Sequence, residues 1–286
     1  MSRPLIHERR LNSRAAIALG FVLVFACTSC ADLSAVAKFA ATAKNASTGF
    51  SDIANDFAGS AERRALYVSD EEKPVVEKQA ETYKALQPEM LAAQKVLVDY
   101  IAALAAISTD SATSRDASVK ATEDGLKKIG MSSAQAAAGV GLATKVVDAL
   151  TAGYRSNKAG KVIRDCNPLL QDYLKGLEQI VGTDYPLVLN NERISAEGYY
   201  QGLLHRYGEK EPLAAVTIRV QMQQDLDGIK KREQAATAYM KILTDIGEGH
   251  QKLADSEHMN PKQLGKLVEP YVEDIAKQSV AVAKAY

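Results

Sequence analysis

The chain has 286 residues, with 35 basic and 35 acidic side chains, three cysteines and no tryptophan. Balanced charge without a Lys/Arg cluster argues against nucleic acid as a partner, because phosphate binding needs concentrated cations. The length allows one sizeable domain, and the few cysteines exclude a disulfide framework.

Residues 1–29 form a leader. Arg3, Arg9, Arg10 and Arg14 give it a basic start, and Ala15 to Ala26 runs without a charge before Cys27-Thr28-Ser29-Cys30. A charged segment, a short apolar core and small residues before a cut site make a secretory signal peptide. The apolar run is too short to span about 30 Å of hydrocarbon as a helix. Once it is removed the remainder is mildly acidic, since the leader holds four arginines and one glutamate.

Thr28-Ser29-Cys30 resembles the lipobox of bacterial lipoproteins, in which the cysteine becomes the acylated first residue of the mature protein. Cys30 is the preferred lipidation residue. Cys27, preceded by Val24-Phe25-Ala26, is the alternative, and an ordinary cleaved leader with incidental cysteines is a third reading. Arg9-Arg10 hints at twin-arginine export, but Leu11-Asn12 does not continue that motif. The residue after Cys30 is Ala31 and not Asp. The resemblance therefore implies the outer membrane, with a lipid anchor and a body facing the periplasm. Several acyl chains at about 0.8 kcal/mol per buried CH₂ would hold such a protein stably.

Residues 30–286 read as one helical domain. Val36, Phe39, Ala43, Ala46, Phe50, Ile53 and Phe57 alternate three and four apart, the spacing of a narrow helix–helix seam, which predicts a first helix over 33–66. Every phenylalanine lies at or before Phe57. Ser69-Asp70-Glu71-Glu72 and Pro74 signal a second start. Tyr83, Leu86, Met90, Ala93, Leu97, Tyr100, Leu104 and Ile107 continue that helix to about 107, with a kink expected at Pro88.

Ser108 to Ser114 reads as a polar linker. A short helix with Val119, Leu126 and Ile129 should stop at Gly130. Ser132-Ser-Ala-Gln135 is a capping box for a helix to about Tyr154. Arg155 to Asp165 reads as helix with a break near Gly160. Asn167-Pro168 is a start signal, with Leu170, Tyr173, Leu177 and Ile180 as the buried face. Gly182 and Pro186 mark a bend before a helix to Gly208. Pro212 opens the longest run, to about Ala254, and Asn260-Pro261 the last, with a kink expected at Pro270. No stretch alternates like a strand. The expected fold is all-α, an elongated bundle of long, kinked antiparallel helices.

No catalytic constellation emerges, and the chain reads as a non-enzyme with no cofactor and no metal. Cys166, at the expected helix start, could have an acidic thiol, but no histidine is near it in sequence. His250 and His258 stand near Glu248, Asp255 and Glu257 without the four-residue step of a helical metal pair. They and His205 read as solvent-facing. Gly139-Val-Gly141 lacks the strand and third glycine of a dinucleotide loop. Glu71-Glu72 and Asp225/Asp227 fall on helix starts and solvated faces.

Residues 133–154 are long enough to cross a bilayer and rich in small residues, which admits a membrane-active, pore-forming bundle as an alternative. Lys145 and Asp148 near the middle oppose it, at about 2.5–3.5 kcal/mol each. A carrier of an apolar ligand between helices is a weaker reading. Leu97 to Ile107, and Ala152 through Asn167-Pro168, resemble parts of uncharacterised helical proteins of the bacterial envelope, a likeness that brings no activity with it. The expectation is a lipid-anchored envelope protein with a structural or adaptor role, docking a protein partner through exposed helix seams or tyrosines.

Overall fold

A computed structural model describes residues 33–109, 122–152, 156–256 and 261–286. Among these the chain is all-α: α1 Ser34–Ser47, α2 Phe50–Arg64, α3 Lys73–Ser108, α4 Glu123–Lys128, α5 Ser133–Thr151, α6 Ser156–Gln179, α7 Tyr185–Tyr207, α8 Pro212–Ala254 and α9 Pro261–Ala283. No strand occurs among the described residues. At 1.5 Å per residue the 43 residues of α8 extend about 65 Å, and they set the length of an elongated bundle.

The helices share one axis. α1 and α2 climb it and α3 descends, pinned where Gln94 Nε2 donates to Ser47 O at 2.6 Å. α5 descends against α6, since Gly139 faces Tyr173 while Gly141 faces Leu169. α6 and α7 climb along the descending α8, joined by Asn167 to Gln251 (2.6 Å) at one level and Arg232 to Glu192 (2.9 Å) at another. α9 climbs again and brings Tyr286 to the Tyr185 hydroxyl at 2.8 Å. The pairs α2–α3, α5–α6, α7–α8 and α8–α9 are thus antiparallel. Three pairs lie side by side in parallel: α2 with α7, α1 with α9, and α3 with α5.

The seam from Val36 to Phe57 is buried throughout, as its spacing required. The single helix expected over 33–66 is nevertheless two. Ser47 and Thr48 turn their hydroxyls back onto Ala43 O and Asn45 O, both at 2.7 Å, which offers the backbone an alternative to the next helical rung. Gly49 meets α9 there, and a Cβ on it would lie 2.9 Å from Val282 Cγ1.

Several local signals hold. Gly130 has φ +95°, with Gly130 N bonded to Lys127 O and Met131 N to Leu126 O, a Schellman stop. Ser132 and Gln135 form the capping box. Pro212 opens α8 as read. Ser108, read as the start of a polar linker, is the last residue of α3; residues 110–121, which hold the rest of that linker and Val119, lie outside the described residues, as do Tyr154, Arg155 and Asn260.

Three expected breaks are absent. α6 runs through Gly160 and through Asn167-Pro168 without interruption. Proline there removes one backbone donor, while the packing of Leu170, Tyr173, Leu174 and Leu177 in the core holds the flanking turns in register. The bend expected at Gly182 is one wider, π-helical turn, Ile180–Asp184, that passes α6 into α7. Pro88 and Pro270 lie inside helices that continue across them.

Tyrosines replace the missing large aromatics in the core. Tyr100, Tyr173, Tyr185 and Tyr239 are fully buried, and each hydroxyl has a partner. Tyr173 donates to Ala93 O at 2.5 Å and Tyr239 to Ser47 O at 3.1 Å. Glycines let the rings in: a Cβ on Gly139 would sit 2.6 Å from Tyr173, and one on Gly249 2.5 Å from Phe39.

Candidate functional site

Cys30 and Cys27 lie outside the described residues. The first described helix starts at Ser34, four residues after Cys30. Cys166 is buried within α6 and not at a helix start, and burial pushes its thiol up to about 11, which removes the expectation of an acidic nucleophile. Among the described residues no group of three or more His, Cys, Asp or Glu side chains is arranged to hold a metal. His258 lies outside them, and His205 is exposed near the end of α7.

His250 corrects the sequence reading. It is 1% exposed, on the inner face of α8. Its Nε2 meets the Tyr100 hydroxyl, and its Nδ1 lies 2.9 Å from Asn167 Oδ1. Asn167 also donates to Gln251, and Gln171 bonds both Asn167 Oδ1 (3.2 Å) and Gly247 O (2.8 Å). The chain ties α3, α6 and α8 together. Burial lowers the imidazole pKa to about 3, so it is neutral. A signal was present: Leu243, Ile246, His250 and Leu253 step three, four, three, so the histidine occupies a seam position.

A second buried cluster fastens α2, α7 and α8. Glu192, whose side chain is 2% exposed, receives Arg63 Nε at 2.7 Å, Arg232 Nη2 at 2.9 Å and Ser60 Oγ at 2.6 Å. Asp56 faces both guanidiniums, at 2.9 Å from Arg63 and 3.3 Å from Arg232, and accepts the Tyr185 hydroxyl at 2.6 Å. Burial works against the Arg63 charge, but the bonds to Glu192 and Asp56 outweigh it and raise its pKa. Two cations against two carboxylates leave the cluster neutral, although Arg232 Nε makes no hydrogen bond within it. It is a clasp. Glu192 falls in line with Leu189, Ala196 and Tyr200 on the buried side of α7, the one mark it leaves in sequence.

One level higher, Asp225 is not on a solvated face. Its Oδ2 accepts the hydroxyls of Tyr67 (2.9 Å) and Tyr200 (2.5 Å). Burial, then the Asp225 bond, pushes Tyr67 up to about 12. Tyr199 stacks at the edge of Tyr200, with ring centroids 5.3 Å apart. Asp227 remains exposed, with Gln223 bonded to it. Glu71 and Glu72 are exposed before α3.

The start of α3 reaches about this level, since Gln79 lies beside Arg64, and among the described helices α7 and α8 continue beyond it. α2 ends at Arg64, and Tyr286 reaches no higher than Tyr185. Counted from Tyr200 to Tyr207 and from Asp225 to Pro212, α7 projects about 10 Å and α8 about 20 Å as a hairpin. Ala215 is buried on its inner face, and Leu203, Leu204, Ile218 and Met222 are half-buried. On the outer face Leu213, Val216 and Val220 are 87%, 56% and 53% exposed. At 100° per residue these three lie within about 60° of arc, one unpartnered apolar stripe. Tyr207 is exposed beside the turn.

Charges of both signs surround the stripe: Asp70, Glu71, Glu72, Glu209, Glu211 and Asp227 lie at this end, with Lys73, Arg206, Lys210, Arg219, Lys230 and Lys231. α5, the helix of the pore-forming alternative, is packed against α6 through Gly139, and its Leu142, Ala143 and Val146 are buried. By length and composition the one described helix apolar enough to cross a membrane is α3, with half of that window buried in the bundle.

Comparison with protein-family models, with curated proteins and with solved structures finds no match to this chain.

Proposed function

We propose that the chain is a lipid-anchored, non-enzymatic adaptor of the bacterial envelope, acylated at Cys30 (alternatively Cys27), set in the outer membrane and facing the periplasm. The hairpin of α7 and α8 is its docking element. One observation carries this reading: the uncovered apolar stripe Leu213, Val216 and Val220 lies at the end of the bundle opposite Ser34, where the anchor would join. A tether at one end and a projecting helix face at the other suit a protein that holds a partner away from a membrane. The stripe sets the partner chemistry, a helical protein face that brings apolar side chains against Leu213, Val216 and Val220.

The test is photo-crosslinking in cells from a reactive residue at Val216 or Val220, with exposed Thr237 as the control position. A discrete adduct from 216 and 220, absent from 237 and lost with Leu213→Glu, is the expected result. Identical adducts from all three positions, or none, would remove the docking role. Palmitate labelling of wild type, Cys30→Ala and Cys27→Ala tests the anchor separately.

A further inference from the structure

We infer that Asp245 makes the seat of α9 on α8 a proton-operated latch, in which α9 is held more tightly as pH falls and loosened as the carboxyl gives up its proton. The device goes beyond the docking role and needs neither the anchor nor the hairpin.

α9 lies antiparallel on α8 and lays Val268, Val272, Ile275 and Val282 into the core. Gly249 marks the contact, since a Cβ there would stand 3.3 Å from the Tyr271 ring. Asp245 is one turn from Gly249 on the same side of α8, so it too faces α9. It is 1% exposed. Lys241 Nζ meets its Oδ1 at 2.6 Å, while its Oδ2 is buried with no hydrogen-bond partner. A buried carboxylate oxygen without a donor is costly, and the bond to the other oxygen does not relieve it.

The neighbouring charges add to the cost. Glu248 of α8 and Asp274 of α9 both act on Asp245, and the Tyr271 hydroxyl is bonded to Glu248. Three carboxylates thus meet Lys241 at this contact, with Glu273 and Lys277 exposed on α9 to either side of Asp274. From the other helices against α8, Glu178 of α6 reaches Thr244, α1 presents the apolar Phe39 to Gly249, and Arg193 of α7 meets Glu233 about three turns away. His250 is bonded to Tyr100 of α3 and Asn167 of α6, so loosening of α9 leaves it in place. Burial pushes the Asp245 carboxyl above its ordinary value of 3.8; the Lys241 bond opposes this, and Asp274 and Glu248 add to it. A proton on Oδ2 removes the unpaired charge and the repulsion together. It is taken up more readily with α9 seated than with the carboxyl open to water. By linkage the seat is strongest below about pH 3.8 and weakens as pH rises through the raised value.

The experiment is amide hydrogen exchange of the whole protein between pH 7.5 and pH 4.5, corrected for intrinsic rates and read on the peptides of α9. Protection of α9 should rise severalfold toward acid pH, with a limit of about tenfold for each unit by which the Asp245 titration is raised. Asp245→Asn keeps the shape and removes the charge, so its α9 should be protected to the same degree across the range. Asp274→Asn alters an exposed side chain and should shrink the rise, while Glu273→Gln should leave it as in wild type. Protection that is flat or falls toward acid pH, or that rises equally in Asp245→Asn, would overturn the latch. If Asp245→Asn does not fold, a rise in Asp274→Asn as large as that of wild type overturns it equally.

Discussion

The imidazole of His250 and the phenol of Tyr100, 150 residues apart in the chain, share a hydrogen bond in the interior of the bundle. Asn167 on α6 completes the link. Through it a buried histidine links three packed helices.

That burial sets a pH dependence. Burial holds the folded-state pKa at about 3, against an ordinary histidine value of 6.5, so the unfolded chain binds the extra proton first. Stability from this group is present above about pH 6.5 and is lost as pH falls toward 3, with a limiting slope of about 1.4 kcal/mol per unit. Urea unfolding at pH 7.5 and pH 5 should show wild type losing about 2 kcal/mol more than His250→Gln over that interval. Parallel losses in the two proteins would show that the imidazole is not neutral and buried.

The clasp gives a second expectation. Glu192→Gln leaves two guanidiniums facing one carboxylate in a buried site, and breaking such a pair costs about 3–5 kcal/mol. Its urea midpoint should fall accordingly. Glu197→Gln, which breaks a half-exposed pair with Arg193, should cost under about 1 kcal/mol.

Two glycines should respond with opposite signs. Gly139→Ala drives a methyl into the Tyr173 ring and Leu126 Cδ1, at 2.6 Å and 2.9 Å, and overpacking costs about 1–3 kcal/mol, more than the gain in helix propensity. Gly198→Ala in α7 meets nothing within 4 Å, so propensity alone acts and stabilises by up to about 1 kcal/mol. Thermal melts of the two variants decide it.

The hairpin stripe should be dispensable for folding. Leu213→Glu and Val220→Lys replace exposed side chains and should change unfolding free energy by less than about 0.5 kcal/mol. Loss of the adduct from Val216 without a change in melting would separate docking from stability. A large drop in stability would mean that the stripe is covered within the protein.

Helix content, the Val36–Phe57 seam, the Gly130 stop, the Ser132–Gln135 box and the Pro212 start were all readable from the sequence. Each depends on residues within a turn or two of one another, and backbone geometry and periodic burial act at that range. Asn167-Pro168 carried an equally good start signal and yet lies inside α6, because core packing on both sides outweighs one missing hydrogen bond. His250 and Glu192 stood at seam positions, so their burial was legible. Their partners were not: Tyr100 and Arg63 come from other helices, and no local pattern encodes which helix will lie alongside. The same limit hid the projecting hairpin. It arises from how the helices are laid along a common axis, and only the tertiary structure decides where each helix ends relative to its neighbours.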